Sequence, residues 1–201
     1  MNTFLKSVAY IIHPLFMPIT GVLCYFFTSP RFIEPQFMIA KLMAVIIITI
    51  FIPIISFFLL KNLKVINSIH LENVAERKYP LMIQVLLILL ILKMVFRTYD
   101  DIELYYFFVG ILFTSLTALF LALFKVKASL HQMAISGVSM FLMGLSIHFN
   151  INLLIGISIF AILNGLVATS RLHTNSHTNP ELVIGFFIGL IPQLVLFPYW
   201  L

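Results

Sequence analysis

Long apolar runs separated by short polar passages set the first expectation. Residues 42–60, LMAVIIITIFIPIISFFLL, carry no charge. They match the roughly 20 residues a helix needs to cross a hydrocarbon layer about 30 Å thick, with Pro53 as an expected kink. Residues 104–124 form a second such run that opens on tyrosines, and residues 182–201 form a third that ends in PYWL. Aromatic residues at span ends are an interfacial signature. Residues 80–96 hold Lys93 close to one end, where its amine can reach the interface. Residues 128–170 contain no Lys, Arg, Asp or Glu. That is too long for one crossing and enough for two, near 132–147 and 151–169, with HFNIN at 148–152 as the turn. Residues 8–28 add a seventh segment, interrupted by His13, Pro14 and Pro18. It has no small-residue cleavage pattern, so it reads as a retained segment, tilted or re-entrant, rather than a leader. The expectation is an all-α, polytopic integral membrane bundle of six to seven transmembrane helices. An N-terminal membrane segment and loop, 1–40, precede a single membrane core, 41–201.

Composition sharpens this. The chain is 62% hydrophobic and 9% charged, with a mean hydropathy of +1.12. Soluble domains are about 45–50% apolar and about 25% charged, so a soluble fold is excluded. The net charge of +5 is spread too thinly for nucleic acid and suits lipid head-groups or an anionic substrate. Cys24 lies in an apolar run and is the single cysteine, so no internal disulfide forms. The abundant phenylalanines read as lipid-facing packing.

Span parity then sorts the polar passages. Residues 61–79, 125–131 and 170–181 fall on one face, bringing together seven Lys or Arg side chains with His70, His131, His173 and His177. The opposite face holds Asp100, Asp101 and Glu103, which read as a solvated turn. His13 and His148 read as structural or interfacial.

The most polar passage of the back half is SRLHTNSHTNPE, residues 170–181. Three readings are open: a loop that meets water, a metal site built from His173, His177 and Glu181, or a phosphate-handling site. Pro180 and the TNSHTN composition argue against a helix through this stretch, and therefore against the His-x3-His ligand spacing that a helical metal site uses.

In these residues the chain resembles the type 2 phosphatidic acid phosphatase superfamily of membrane lipid phosphatases. That family's third motif is Ser-Arg, five residues, His, three residues, Asp; here it is Ser170-Arg171, five residues, His177, three residues, Glu181. The second motif, Pro-Ser-Gly-His, is matched by ASLH, which keeps Ser129 and His131 and puts Ala128 and Leu130 in place of Pro and Gly. The first motif, Lys, six residues, Arg-Pro, is matched only by ENVAERKYP. It keeps Pro80 and has Glu72 and Tyr79 where Lys and Arg stand, leaving Arg77 and Lys78 as displaced counterparts. The likeness covers roughly residues 60–201.

The resemblance implies hydrolysis of a lipid-linked phosphate or diphosphate. His177 would be the nucleophile forming a phosphohistidine, and Glu181 would orient its ring. His131 would be the general acid, and Arg171, Ser129, Lys78 and Arg77 would bind phosphate. No cofactor and no metal enter that scheme. Asn179 as N-cap and Pro180 at the first helical position would set Glu181 in the first turn of the following helix. The implied partners are membrane lipids and a lipid phosphate substrate: phosphatidic acid, phosphatidylglycerophosphate, an isoprenyl diphosphate or lipid A. The expected location is a multi-pass position in a bacterial inner membrane. Two rivals use the same residues: a catalytically silent relative that only binds, and a transporter that holds the phosphate without cleaving it.

Overall fold

The computed structural model describes residues 2–66 and 74–201. Among these residues the chain is helical and contains no strand. Six helical stretches are long and apolar enough to cross a membrane: Phe4–Thr28, Pro35–Asn62, Ile102–Leu123, Leu130–His148, Leu154–His173 and Asn179–Tyr199. In chain order the helices are α1 (Asn2–Ile11), α2 (Met17–Thr28), α3 (Pro35–Ile46), α4 (Ile52–Asn62), α5 (Lys78–Met94), α6 (Ile102–Leu123), α7 (Leu130–His148), α8 (Leu154–His173) and α9 (Asn179–Leu196). With 17 residues, α5 is a shorter seventh member that packs along α6. The chain is thus a multi-pass, all-α membrane bundle.

Prolines set the two interruptions. Pro14 starts a single 3-10 turn, Pro14–Phe16, and Pro18 sits in the first turn of α2. Proline lacks an amide hydrogen and is therefore accommodated most readily where a helix begins. The His13 Nδ1 caps the turn by accepting from the Leu15 N–H at 3.3 Å. The expected single segment is therefore two helices with a break at His13. Farther on, Pro53 cannot donate to the Thr49 carbonyl, and the helix widens into a π stretch over Ile47–Phe51 just before it.

The bundle is organised around α7, which contacts α2, α6, α8 and α9. Its closest partner is α9, along a seam of small residues. The Gly137 Cα would carry a Cβ only 3.3 Å from the Gly189 carbonyl oxygen, and one on Gly185 would lie 2.8 Å from that of Ser129. Close backbone approach through small residues is how helices associate where lipid supplies no hydrophobic drive. The seam fixes the start of α9 beside the start of α7, where the Ser129 N–H donates to the Glu181 carbonyl at 3.2 Å.

At the other end of the bundle the expected solvated turn is not what forms. Asp101 and Glu103 are buried, and of the three only Asp100 is exposed. Arg31, from the α2–α3 loop, reaches Glu103 at 2.7 Å, and His148 Nε2 reaches the same carboxylate at 2.9 Å. Lys41 pairs with Asp101. A buried carboxylate is stable only when paired, and the cations come from the α2–α3 loop (Arg31) and from α3 itself (Lys41).

Candidate functional site

The passage 170–181 is less of a loop than its composition indicates. Helix α8 runs through Arg171 to His173, and only residues 174–178 separate it from α9. The stop is a Schellman turn: Ser176 N–H donates to the Arg171 carbonyl at 3.1 Å and Asn175 N–H to the Leu172 carbonyl at 3.0 Å, with Asn175 at φ 51°. The restart is a capping box in which Thr178 is the N-cap and Glu181 the N3 residue. The helix therefore begins one residue earlier than Asn179 as N-cap predicts, because Glu181 closes back on the Thr178 N–H at 3.4 Å. The two HTN triplets thus do different jobs: one ends α8 and the other starts α9. His177 is held between them, its N–H donating to the Arg171 carbonyl at 3.4 Å.

His177 is 7% exposed. Its Nδ1 lies 2.6 Å from Glu181 Oε2. A carboxylate only accepts, so Nδ1 carries the proton and Nε2 keeps a lone pair. Lys127 Nζ steadies this end of α9, donating to the Ser176 carbonyl at 2.7 Å and standing 3.8 Å from Glu181 Oε2. Burial pushes His177 down to about 4, assisted by the charges of Arg171, Arg77 and Lys127 and opposed by the Glu181 hydrogen bond. The ring is therefore neutral near pH 7.

His177 opens onto a cavity of about 420 Å³ whose polar end is also lined by Arg171, Arg77, His131 and His13. That volume lies within the range of about 300–1,000 Å³ typical of small-molecule sites. Arg77, arriving from the start of α5, is buried and donates to the Ala128 carbonyl at 3.2 Å. Arg171 Nε is buried with no hydrogen-bond partner among the described residues. Buried polar atoms are nearly always paired, so this orphaned guanidinium N–H is a donor left available to an acceptor in the cavity. Away from this end the cavity turns apolar, between Phe57, Leu81, Ile111 and Ala118.

Not every residue named from sequence meets here. Ser129 is fully buried and caps α7, its Oγ accepting from the Gln132 N–H at 3.4 Å, and it does not line the cavity. Lys78 lies over the Tyr79 ring, 4.8 Å from its centroid, and is likewise outside the lining. His173 is exposed on α8, apart from buried His177. Among the described residues no group of three His, Cys, Asp or Glu is arranged around a metal position. Glu72 and His70 lie outside the described residues.

The residue that sequence reasoning missed is His13. The break after α1 carries its ring to 5.3 Å from that of His131, edge to face. His131 Nε2 donates to the Ala9 carbonyl at 3.1 Å, which leaves Nδ1 as its free nitrogen. The signal was available in HPLFMP: a histidine between an apolar run and two prolines, where a span must break. No family model, curated protein or solved structure matches the chain.

Proposed function

We propose that this membrane protein is a phosphatase of lipid-linked phosphates or diphosphates, resembling the type 2 phosphatidic acid phosphatase superfamily, and that it works through a phosphohistidine at His177. The observation that carries the reading is the His177–Glu181 hydrogen bond of 2.6 Å beside an Arg171 whose Nε has no partner among the described residues. A nucleophilic imidazole needs its proton on one nitrogen and its lone pair aimed at the electrophile, and Glu181 supports that tautomer. His177 Nε2 attacks phosphorus, the bond from phosphorus to the lipid oxygen breaks, and Arg171 and Arg77 hold the phosphoryl oxygens as charge builds on them. His131, with Nε2 committed to Ala9, takes the acidic proton of the phosphate monoanion on Nδ1 and passes it to the leaving oxygen. Water then cleaves the N–P bond, giving its proton to His131 and releasing phosphate. The apolar part of the cavity suits the first segment of a lipid tail.

The test is phosphate release in detergent micelles from a panel of lipid phosphates and diphosphates, with and without a chelator. Wild type is run beside His177→Ala and His173→Ala. Chelator-resistant turnover lost only with His177→Ala is the expected result. Turnover abolished by chelator, or equally by both substitutions, overturns the mechanism. No turnover on any lipid would favour a protein that binds the phosphate without cleaving it.

A further inference from the structure

Below the cationic end, beside Thr114 and Gln193, which donate to backbone carbonyls, the cavity wall holds three further polar side chains from three helices: Ser56 of α4, Gln84 of α5 and Ser115 of α6. None has a hydrogen-bond partner among the described residues. This is unusual for the chain itself. Thr49, Thr117, Ser139 and Thr169 all turn their hydroxyls back onto the carbonyl four residues earlier, at 2.7 to 2.9 Å. That back-bonding is the ordinary fate of a helical hydroxyl in lipid, and Ser56 and Ser115 do not adopt it.

The three lie at a common depth. Ser56 is six residues from the end of α4, Gln84 seven from Arg77, and Ser115 eight from the end of α6, or about 9–12 Å at 1.5 Å per residue. Packing gives the same depth independently. Thr114, the neighbour of Ser115, donates to the Ile188 carbonyl at 3.2 Å, and Ile188 is seven residues, about 10 Å, down α9 from Glu181. This depth lies inside a hydrocarbon layer about 30 Å thick, where unpaired polar groups are costly and mark function.

We propose that Ser56, Gln84 and Ser115 form a subsite for oxygen atoms carried by the lipid between its phosphate and its hydrocarbon tail, as in an ester-bearing glycerolipid. This rests on the lipid phosphatase reading. The direction agrees: at about 3.5 Å for every three extended bonds, an ester carbonyl lies about 6–7 Å from phosphorus. A phosphate held under Arg171 and His177 thus directs its ester oxygens down the cavity toward the Gln84 amide and the two hydroxyls. A polyprenyl phosphate is hydrocarbon from its first carbon and leaves all three unpaired. A site built to hydrogen-bond a group discriminates strongly against analogues lacking it.

The experiment compares kcat/KM in micelles for dioleoylglycerol phosphate, oleyl phosphate and farnesyl phosphate. It uses wild type, Ser56→Ala, Ser115→Ala, Gln84→Leu and the triple variant. Wild type is expected to favour the glycerolipid by at least about tenfold, the effect of one net hydrogen bond. The triple variant is expected to lose that preference while keeping its turnover of oleyl phosphate. Equal or reversed preference in wild type overturns the subsite, as does a preference that survives all three substitutions, which would mean the belt holds water only. Binding of the matching non-hydrolysable phosphonates is measured in parallel by competition. If nothing is hydrolysed but the glycerolipid phosphonate binds more tightly through these residues, the phosphatase reading fails and the subsite stands. Hydrolysis without discrimination has the opposite meaning.

Discussion

Replacing Glu181 with Gln removes one charge and leaves almost every atom in place. Gln is as good an N3 partner as Glu in a capping box, so α9 should start normally. What changes is the partner of His177 Nδ1, now 2.6 Å from a carboxylate oxygen. A charge-assisted hydrogen bond contributes about 1.5–3 kcal/mol, and its ionic part would grow as the ring becomes cationic in the proposed attack on phosphorus. Losing it costs about 10- to 150-fold in kcat. The amide adds a second fault. It can donate its N–H to Nδ1, which moves the ring proton to Nε2 and removes the nucleophilic lone pair, as when a triad carboxylate is made an amide. The two effects together predict a loss of about 100- to 10,000-fold in kcat with a much smaller change in KM.

The pH profile separates this from a structural defect. His177 is the proposed neutral nucleophile, held near 4, so the acid limb of wild-type kcat/KM should lie near pH 4 rather than near 6.5. The Glu181 hydrogen bond raises the affinity of the ring for a proton, so in Glu181→Gln the acid limb moves lower still. Glu181→Asp keeps the charge and should retain more activity than the amide. Phosphate release across pH 3–8, with thermal unfolding in the same detergent as the folding control, checks all of this. A folded Glu181→Gln protein with kcat within about twofold of wild type would refute the reasoning.

Three further outcomes are expected. Arg171→Lys keeps a positive charge but loses the planar fork and the unpaired Nε, and should lower kcat/KM by about 100-fold in the same assay. His13→Ala should reduce kcat/KM by about tenfold or more through lost contact with His131 and the cavity, whereas His173→Ala, at an exposed position, should leave it unchanged. Gly189→Ala would drive a methyl into the Met133 carbonyl and the Ser136 hydroxyl on α7, and should cost about 1–3 kcal/mol, seen as a lower unfolding temperature.

What was legible in the sequence followed from solvent physics. Apolar length against bilayer thickness gave the spans, and the Arg171, His177 and Glu181 spacing converges because a helix stop and a helix start are encoded in five linking residues. Less legible was anything that depends on a contact distant in sequence. Asp101 and Glu103 read as solvated because nothing local reveals that Lys41 and Arg31 fold back onto them. Ser129 read as a phosphate ligand because a motif position does not show that its hydroxyl is occupied in capping α7. Lys78 and Arg77 were equivalent on paper; the helical start at Lys78 turns one toward the Tyr79 ring and the other into the cavity. His13 required knowing that the turn at Pro14–Phe16 packs against α7.

The two ends of the bundle set a useful internal contrast, because both pair a histidine with a carboxylate. At Glu103 the carboxylate is completely buried and is met from two sides, by Arg31 and His148, with Phe149 and Trp200 rings against the imidazole. Charge is closed off there, and the 420 Å³ cavity does not reach it. At Glu181 the carboxylate is 20% exposed, Lys127 is adjacent, and the nearby Arg171 Nε has no partner among the described residues. A buried guanidinium N–H left unpaired is unfavourable to the folded protein taken alone, and an anion entering the cavity would supply its acceptor. The first pair is therefore what a fold needs to bury an acid, and the second is what the proposed phosphate site would use.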